Sequence, residues 1–510
     1  MRAAAVEVAV VEVPGSPRWP EVIERLRTRT GFWLLESAPV DGRPGRWSFA
    51  GCDPYAVLRV SGTRIEWSGQ RALADGWPPP HHAWRGDPFD AVRAWLPRAA
   101  PGASPSDTPP FVGGAVGWFG YELAARLERF SFRGLDDVAL PDLQLAYVDR
   151  VLAWDPGKPR LVASALGFGG DGKTARTRAE RSASRLAERL AAGAENPFEA
   201  PDREPWRCRD SVAPISKEPL PKEPLRRIDA ETGLELGAWF DECSYGRAVE
   251  TIREHIAAGD LYQANLTHRL SAPASAADPW QVYTALERRN PAPFAAFLSA
   301  DRAAIAGSSP ERFLRIEPDG RIESRPIKGT RPRGATPAED AALRAALLGS
   351  EKERAENVMI VDLMRNDLGR VCVPGSIEVP ELFTLEPYAT VWQMVSTVRG
   401  RLRPGLDVVD ALRAAFPPGS MTGAPKLAAI ELLQRLEPVR RGVYAGALGW
   451  IDVRGGAELA VVIRTLLLRP GRAWLHVGGG IVLDSEPTAE WAETLAKARA
   501  PLDALADACG

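Results

Sequence analysis

Short strand-like runs bounded by turn residues fill the first third of the chain and restrict the fold to one with large β-sheets. GFWLLES, YAVLRV, TRIEWS and LQLAYVDRVLAWD are examples, and a helical stretch at 89–96 interrupts them. Runs of this length, rich in β-branched and aromatic residues, are typical of strands. The region 5–165 is therefore predicted to be rich in strands.

Beyond this region the pattern becomes mixed. A helical segment at 173–192 precedes a stretch whose prolines and mixed charges prevent regular structure. Amphipathic helices then alternate with strands without strict βαβ order, at 245–258, 279–289, 338–348 and 406–415. The pattern predicts an α+β protein with a strand-rich region at 1–193, a Pro-rich linker at 194–230 and a second domain at 231–510, the sheets of the two halves packing together.

Charge and cysteine usage exclude several classes of partner. Lysines and arginines number 64 and acidic residues 66, so no overall basic field draws the chain to nucleic acid or anionic lipid. The N-terminal segment carries acids and a proline where a signal peptide has an apolar core, and no run reaches the ~18 apolar residues of a membrane span. Five scattered cysteines suit reduced thiols. We expect a cytoplasmic protein with no nucleic-acid or membrane partner.

Two acidic pairs are candidates for a metal site. Ser350 with Glu353 forms a capping box, and Glu353 and Glu356 then share a helix face. Glu490 and Glu493 repeat this spacing on a helix that begins near Pro487. Each pair alone is also typical of a solvated face, but together they would suit Mg²⁺, which prefers carboxylate oxygens. Only five histidines are present, so a zinc site lacks ligands.

Glycines and an isolated arginine near the C-terminus are candidates for anion binding. Gly478, Gly479 and Gly480 stand between a strand and the second acidic helix, where they either let the backbone approach an anion or form a tight turn. Arg464 interrupts the apolar run LAVVIRTLLL, which reads as one strand. A charge there needs an anion, either a structural carboxylate or a ligand carboxylate held by the guanidinium fork.

Lysine is rare in this chain, so lysines in ordered segments stand out. Only eight of the 64 basic residues are lysines, and Lys328 lies in ESRPIKGTRPRG beside Arg325, Arg331 and Arg333. A lysine partly buried among cations would favour the neutral amine, the form that attacks as a nucleophile. The alternative is a solvated basic loop.

Seven motifs carry a resemblance to a known family. In order they are GDLYQANL, SSPERF, RPIKGTRPRG, EKERAENVMIVDLMRNDLGRV, GSMTGAPK, VVIRT and GGGIVLDSEPTAEWAET. This series resembles the chorismate-utilising enzymes: anthranilate synthase component I, aminodeoxychorismate synthase component I, and the isochorismate and salicylate synthases. GFWLLESA, GRWSFAG and FVGGAVGWFGYEL resemble the amino-domain of the first two. The resemblance implies a large two-layered fold with sheets packed face to face and helices outside.

Within this family, the residue after RPI indicates the activity. Anthranilate synthases resemble PIAGT and aminodeoxychorismate synthases PIKGT, which Lys328 matches. The resemblance therefore implies Mg²⁺-dependent amination of chorismate at C4, with ammonia from a separate glutamine amidotransferase subunit, as in p-aminobenzoate and folate biosynthesis or in specialised metabolism. Gln393 stands in VWQMVS where family members often have histidine, so histidine-assisted loss of pyruvate is not expected. The alternatives are anthranilate synthase component I and a non-catalytic tryptophan-binding homologue.

The resemblance also implies roles for individual residues. Lys328 would be the nucleophile and Glu311 of SSPERF the general acid. Mg²⁺ would be held by Glu356 and Glu493, with Glu353 and Glu490 acting through water. The other implied sites are a substrate pocket formed by Arg464, Tyr444, Gly478, Gly479, Gly480, Thr422 and Lys426, the last of which alternatively pairs with an acid, and a tryptophan pocket formed by Leu35, Glu36, Ser37, Pro293 and Phe294.

Overall fold

The structure, a computed structural model, describes residues 5–38, 47–69, 81–99, 108–198, 225–275, 277–300 and 303–509. Within these ranges the helices are α1 (Trp19–Leu26), α2 (Pro88–Trp95), α3 (Gly172–Ala191), α4 (Glu242–Ala257), α5 (Pro279–Arg289), α6 (Pro337–Gly349), α7 (Glu351–Gly369), α8 (Val408–Ala415), α9 (Lys426–Leu436) and α10 (Pro487–Cys509). Short 3-10 turns cover Tyr121–Arg126 and Gly419–Met421.

The strands of the same ranges are β1 (Ala5–Glu12), β2 (Trp33–Glu36), β3 (Ser48–Gly51), β4 (Ala56–Ser61), β5 (Arg64–Gly69), β6 (His81–Arg85), β7 (Gly114–Phe119), β8 (Leu143–Val148), β9 (Arg150–Asp155), β10 (Arg160–Gly169), β11 (Leu225–Ile228), β12 (Glu235–Ala238), β13 (Gln263–Ala274), β14 (Phe294–Ala300), β15 (Ala303–Ser309), β16 (Arg312–Ile316), β17 (Arg321–Arg325), β18 (Ile327–Pro332), β19 (Glu378–Pro387), β20 (Val391–Arg401), β21 (Gly423–Ala424), β22 (Ala447–Asp452), β23 (Ala457–Val461), β24 (Thr465–Arg469) and β25 (Gly471–Ile481).

Two large antiparallel sheets organise these strands. The first has the order β1-β10-β9-β3-β2-β14-β15-β24-β25-β13-β12-β11, with β21 beside β13. The second has the order β18-β20-β17-β16-β23-β22-β7-β8-β4-β5-β6, with β19 beside β20. Helices pack outside the sheets, which confirms the predicted α+β class and its two-layered form.

Aromatic side chains fill the space between the two sheets. Trp33 and Phe49 of the first sheet share one buried cluster with Trp118 and Trp450 of the second. The rings of Phe49 and Trp450 meet edge to face at 6.1 Å between centroids. Each such side chain removes a large apolar area from water, so these contacts hold the two sheets together.

Both sheets contain strands from before and after the predicted linker. β2 pairs with β14 in the first sheet, and β7 pairs with β22 in the second. Most of the predicted linker at 194–230 lies outside the described residues. The domain limits at 1–193 and 231–510 therefore stay predictions.

The apolar run around Arg464 does not form the single strand that was predicted. β23 ends at Val461 in the second sheet, and β24 begins at Thr465 in the first. Arg464 lies in the connection between the sheets, in the left-handed region at φ 52°. Apolar residues flank it on both sides because each strand is buried in its own sheet.

No helix of the described residues is both long and apolar enough to cross a membrane. Cys52, Cys243, Cys372 and Cys509 carry free thiols, and Cys208 lies outside the described ranges.

Candidate active site

Lys328 lies in β18, and its amine sits where the two sheets meet. Nζ donates a hydrogen bond to the carbonyl oxygen of Ser420 at 3.4 Å. A Cβ atom built on Gly480 would lie 3.2 Å from the same amine. Because β18 belongs to the second sheet and β25 to the first, the fold itself fixes this lysine. It does not stand in a solvated loop.

Carboxylates surround Lys328, and the expected group of cations is not found there. Burial acts to raise the pKa values of Glu311, Glu356 and Glu493, and the positive charge of Lys328 acts against this rise in all three. The three neighbouring arginines each bind another acid: Arg325 binds Glu386 at 2.6 Å, Arg331 binds Glu353 at 3.0 Å and Arg333 binds Asp340 at 2.8 Å. All three acids lie outside the motif, 7 to 61 residues from their partners, so the motif alone could not place them.

Glu311 is a buried acid beside Lys328. Burial raises its pKa from 4.5 to about 7, although a hydrogen bond from Ser420 and the charge of Lys328 oppose the rise. Its side chain is only 5% exposed. A carboxyl group that is partly protonated near neutral pH can donate a proton to a leaving group. The position and the pKa of Glu311 therefore both suit a general acid.

The two predicted acidic pairs lie close together, one on α7 and one on α10. Burial raises the pKa of Glu356 to about 7, and the charges of Glu353 and Glu490 add to this rise while Lys328 and Lys352 oppose it. Like-charged neighbours would not raise this pKa unless the helices brought the pairs to one place. The donor set therefore has the chemistry that Mg²⁺ prefers.

Basic side chains neutralise three of these four acids. Glu490 accepts a hydrogen bond from Ser485 at 2.6 Å and lies 3.6 Å from the Lys352 amine. Glu493 pairs with Lys497 at 2.6 Å, and Glu353 pairs with Arg331. With the side chains in these pairs, no three metal-ligating groups converge anywhere in the described part of the chain. A bound cation would have to replace the lysine contacts.

Gly478, Gly479 and Gly480 lie inside β25 and do not form the turn that was considered. They pair with β13, and β24 contacts β25 only up to Leu475. A Cβ atom on Gly479 would come within 2.9 Å of Oε2 of Glu490. The missing side chains therefore leave room for Lys328 and the acidic helix to approach the strand.

Arg464 and Tyr444 lie on the same side of this site. Burial lowers the pKa of Arg464, and the nearby Tyr444 and Glu493 oppose that shift. No described residue forms an ion pair with the Arg464 guanidinium within 4 Å. Tyr444 precedes β22 and stacks on His476 at 5.0 Å between centroids. Of the two explanations for Arg464, a ligand carboxylate fits better than a structural one.

The turn that carries Ser420 is held by two buried cations. Nζ of Lys426 binds Asp367 at 2.6 Å and donates to the carbonyl oxygens of Ala415 and Pro417 at 2.7 and 2.9 Å. Arg441 donates to the carbonyl oxygen of Met421 at 2.6 Å. The Lys426 amine is therefore bonded to protein groups. This contact agrees with the alternative given for Lys426 in the sequence analysis, in which it pairs with an acid.

Thr422 is also committed to the turn. Its hydroxyl donates to the carbonyl oxygen of Gly419 at 3.1 Å, and its own carbonyl accepts the N–H of Asn265 at 2.8 Å. Asn265 pairs with Gly480, so Thr422 links the Ser420 turn to the glycine strand. Its contribution to the site is through the shape of the backbone.

The predicted tryptophan pocket lies on adjacent strands. β2 pairs with β14, so that Leu35 is opposite Ala296, and Ala38 donates to the carbonyl oxygen of Ala292 at 3.1 Å. The Glu36 carboxylate accepts hydrogen bonds from Trp19 at 2.9 Å and Tyr283 at 2.8 Å. This places the segments holding Leu35, Glu36, Ser37, Pro293 and Phe294 side by side, away from Lys328.

Sequence reasoning gave no role to several residues that the structure places in the site. Ser420 contacts both Lys328 and Glu311, and its place in the motif GSMTGAPK was the sequence signal that could have found it. Gln263 lies against Gly480, with an Oε1 atom that has no partner among the described residues. Lys497 also donates to the carbonyl oxygen of Gly478 at 2.9 Å. Because lysine is rare in this chain, a lysine at position 497 in an ordered segment was a sequence signal that could have marked this residue as part of the site.

A half-buried lysine amine, a buried carboxyl group with a raised pKa and an unpaired guanidinium would together suit an enzyme that acts on a carboxylate substrate. Comparison with known families specifies the class: the chain matches the chorismate binding enzymes over residues 68–503. It belongs to this family and is a chorismate-utilising enzyme, as the sequence motifs indicated.

Relatives with two different activities are similar to the chain. Aminodeoxychorismate synthase of Streptomyces griseus is 40% identical over 487 residues, which cover 94% of this chain and 61% of the relative. The chain thus spans less than two thirds of that protein. Aminodeoxychorismate synthase component 1 of Bacillus subtilis is 36% identical (94% and 92% coverage), and anthranilate synthase component 1 of Mycolicibacterium smegmatis is 37% identical (94% and 86%).

A solved structure has the same architecture. Anthranilate synthase component I from Streptococcus pneumoniae TIGR4 superimposes with a TM-score of 0.70 at 28% identity, over 91% of this chain and 94% of that one. The relatives therefore agree on fold and family and differ in the product that their names give.

Proposed function

We propose that the chain is the large subunit of an aminodeoxychorismate synthase, which replaces the C4 hydroxyl of chorismate with an amino group. The observation that carries this proposal is the placement of the Lys328 amine beside Ser420 and Gly480, next to the buried acid Glu311. A fixed amine beside a general acid suits covalent displacement of a hydroxyl group.

The first step is addition of the amine to the ring. Nζ of Lys328 forms a bond to C2, the two conjugated double bonds of the ring both shift, and the C–O bond at C4 breaks. Glu311 gives its proton to the departing oxygen, which leaves as water. The amine nitrogen gives up a proton after the bond forms, and a neighbouring carboxylate is available to accept it.

The second step reverses the first with a different nucleophile. Ammonia forms a bond to C4, both double bonds shift back, and the C2–Nζ bond breaks. Lys328 recovers its proton from the incoming nitrogen. The balance is chorismate plus ammonia to 4-amino-4-deoxychorismate plus water, with the enolpyruvyl group retained.

Two substrate carboxylates need positive or polar partners. Arg464, which has no ion pair among the described residues, would hold the enolpyruvyl carboxylate together with Tyr444. Glu356 and Glu493, supported by Glu353 and Glu490, would hold a Mg²⁺ ion that neutralises the charge of the ring carboxylate. The backbone of Gly478 to Gly480 would close this pocket.

Ammonia would come from a glutamine amidotransferase subunit. One observation supports this source: relatives carry names that specify component 1, which implies a second component. Added ammonium should then replace the partner at high pH, where the neutral nucleophile is more abundant.

Lys328 provides the test of the covalent route. Without ammonia, wild-type protein incubated with chorismate should gain a mass equal to chorismate less water on the peptide that contains Lys328. Lys328→Ala should lose turnover by orders of magnitude while still binding chorismate, and Lys328→Arg should not restore it, because a guanidinium stays protonated. Aminodeoxychorismate formation by Lys328→Ala at the wild-type rate would show that amination is direct.

Anthranilate synthase component I is the second candidate, because relatives of that name match over most of the chain. Lys328 and Gln393 favour the first candidate. Gln393 is buried in β20, and its amide cannot supply the acid–base chemistry of a histidine for loss of pyruvate. Formation of anthranilate and pyruvate from chorismate and ammonium would reverse this choice.

We also propose that tryptophan binds against the paired strands β2 and β14, at Leu35 to Ser37 and Pro293 to Phe294. Support comes from the adjacency of the two segments and the half-buried carboxylate of Glu36. Calorimetric titration with tryptophan should show binding that Phe294→Ala weakens. No heat with the wild-type protein would leave these strands as ordinary sheet.

A further inference from the structure

A second cavity lies between the two sheets, apart from the Lys328 site. Its mouth is at Leu135 and Asp136, and its floor is formed by Ile305, Leu467 and Trp474. The space out to open solvent at the mouth is about 680 Å³, so the enclosed part is smaller. The floor is apolar, as is usual in small-molecule sites.

Two buried polar atoms in its wall have no partner. Trp474 Nε1 and His476 Nε2 form no hydrogen bond with any described residue, and the two side chains are 2% and 9% exposed. Buried polar groups are nearly always bonded, so two in one cavity point to a missing ligand. The side chains stand two residues apart on β25 and therefore point to the same face.

The two atoms differ in hydrogen-bonding character. Trp474 Nε1 can only donate. Burial lowers the pKa of His476 well below 6.5, so its ring is neutral, and the ring also bonds the backbone of Arg440. Since Nε2 is unpartnered, Nδ1 makes that bond as the donor, and Nε2 is left as an acceptor. The wall thus offers one donor and one acceptor.

The wall has no unpaired cation for an anionic ligand. Among the described residues, its arginines already bind acids: Arg269 binds Asp137 at 2.6 Å, Arg440 binds Asp136 at 3.2 Å and Arg441 binds Glu437 at 2.7 Å, while Glu122 and Asp142 accept backbone N–H groups. An added negative charge would be buried without compensation, which is costly.

We propose that this cavity binds an uncharged small molecule with an apolar body and a primary amide head. The amide oxygen accepts the N–H of Trp474, and the amide N–H donates to Nε2 of His476. Alternate strand positions lie roughly 6.7 Å apart, a span that one amide bridges with two hydrogen bonds of about 2.9 Å. The apolar body lies against Ile305 and Leu467.

A ligand here would act on the substrate site through one ring stack. Tyr444 lies on His476 with an interplanar angle of 14°, and both line the cavity. In the proposed function Tyr444 contacts the enolpyruvyl carboxylate. If that function holds, a ligand in the cavity changes the KM for chorismate. Binding itself does not depend on that function.

Benzamide is the probe, titrated into the full-length protein by calorimetry without substrate. We expect saturable binding, with benzoate much weaker because its charge is uncompensated. Trp474→Phe and His476→Phe should each weaken benzamide binding roughly tenfold, the value of one lost hydrogen bond. Trp33→Phe is the matched control, because it removes another buried indole N–H that has no described partner, outside this cavity.

Three results would overturn the proposal: no benzamide binding, equal binding of benzoate, or equal loss in Trp474→Phe and Trp33→Phe. The first would mean that water alone satisfies the two atoms. Leu140→Trp, which narrows the cavity from its loop side, gives a second test that keeps the floor intact and should also reduce binding. A KM for chorismate that benzamide leaves unchanged would overturn the coupling through Tyr444 and leave the binding result standing.

Discussion

Replacement of Glu311 with glutamine should change how stability depends on pH. In the folded protein the pKa of Glu311 is raised from 4.5 to about 7, mainly by burial. A raised pKa means that the folded state holds the proton more tightly than the unfolded state. The stability that the protonated Glu311 carboxyl group contributes to the folded state is complete below pH 4.5 and is lost as the pH rises through 7.

The magnitude follows from the size of the shift. At 1.36 kcal/mol for each unit, the ionised group costs about 3 kcal/mol at high pH. About 2.5 kcal/mol of this develops between pH 5 and pH 8.5. Unfolding entropy near 2.1 cal/mol/K for each of the 510 residues converts this to about 2 °C in Tm. Glutamine keeps the shape and has no proton to lose.

Thermal unfolding at pH 5 and pH 8.5 measures the effect. The Tm of Glu311→Gln minus the Tm of wild type should be about 2 °C larger at pH 8.5 than at pH 5. The variant should also lose turnover. Glu180→Gln on the exposed face of α3 is the control and should show no such change. If the two variants behave alike, Glu311 is not a buried acid with a raised pKa, and its role as proton donor loses its physical basis.

Two further predictions concern the site. Gly480→Ala places a methyl group that overlaps Nε2 of the buried Gln263 and lies 3.2 Å from the Lys328 amine, so it should lower turnover roughly tenfold or more and also lower the Tm. Gly170→Ala, with open space around it, should be neutral in both assays. Glu356→Gln and Glu493→Gln should each abolish turnover in a folded protein, and a Mg²⁺ titration should restore it only in part; full activity of either would refute the metal assignment.

Local patterns predicted much of the architecture. The helix at 279–289 is α5 with the same limits, and the Ser350 cap begins α7 as expected, with its hydroxyl accepting the N–H of Glu353 at 3.4 Å. Helix periodicity and capping are local effects, so they can be read from sequence. The spacing of the acidic pairs also predicted that each pair lies within one helix, α7 and α10.

Features that depend on pairing between distant strands were not predictable. Gly478 to Gly480 resemble a turn, yet β13 extends past them and keeps them in a strand. The sequence predicted that Arg464 lies within one strand, because no local pattern shows that the chain crosses from one sheet to the other at this residue. Ser420 reaches Lys328 only through the folded turn. In each case the deciding contact is far away in sequence.

Identification of the product tests the account most directly. Purified protein would be incubated with chorismate, Mg²⁺ and ammonium, and the small molecules separated and identified by mass spectrometry. The account predicts 4-amino-4-deoxychorismate, with no pyruvate released and no product from Lys328→Ala. Anthranilate with an equal amount of pyruvate would contradict it, and the chain would then be an anthranilate synthase component I in which Lys328 does not act as the nucleophile.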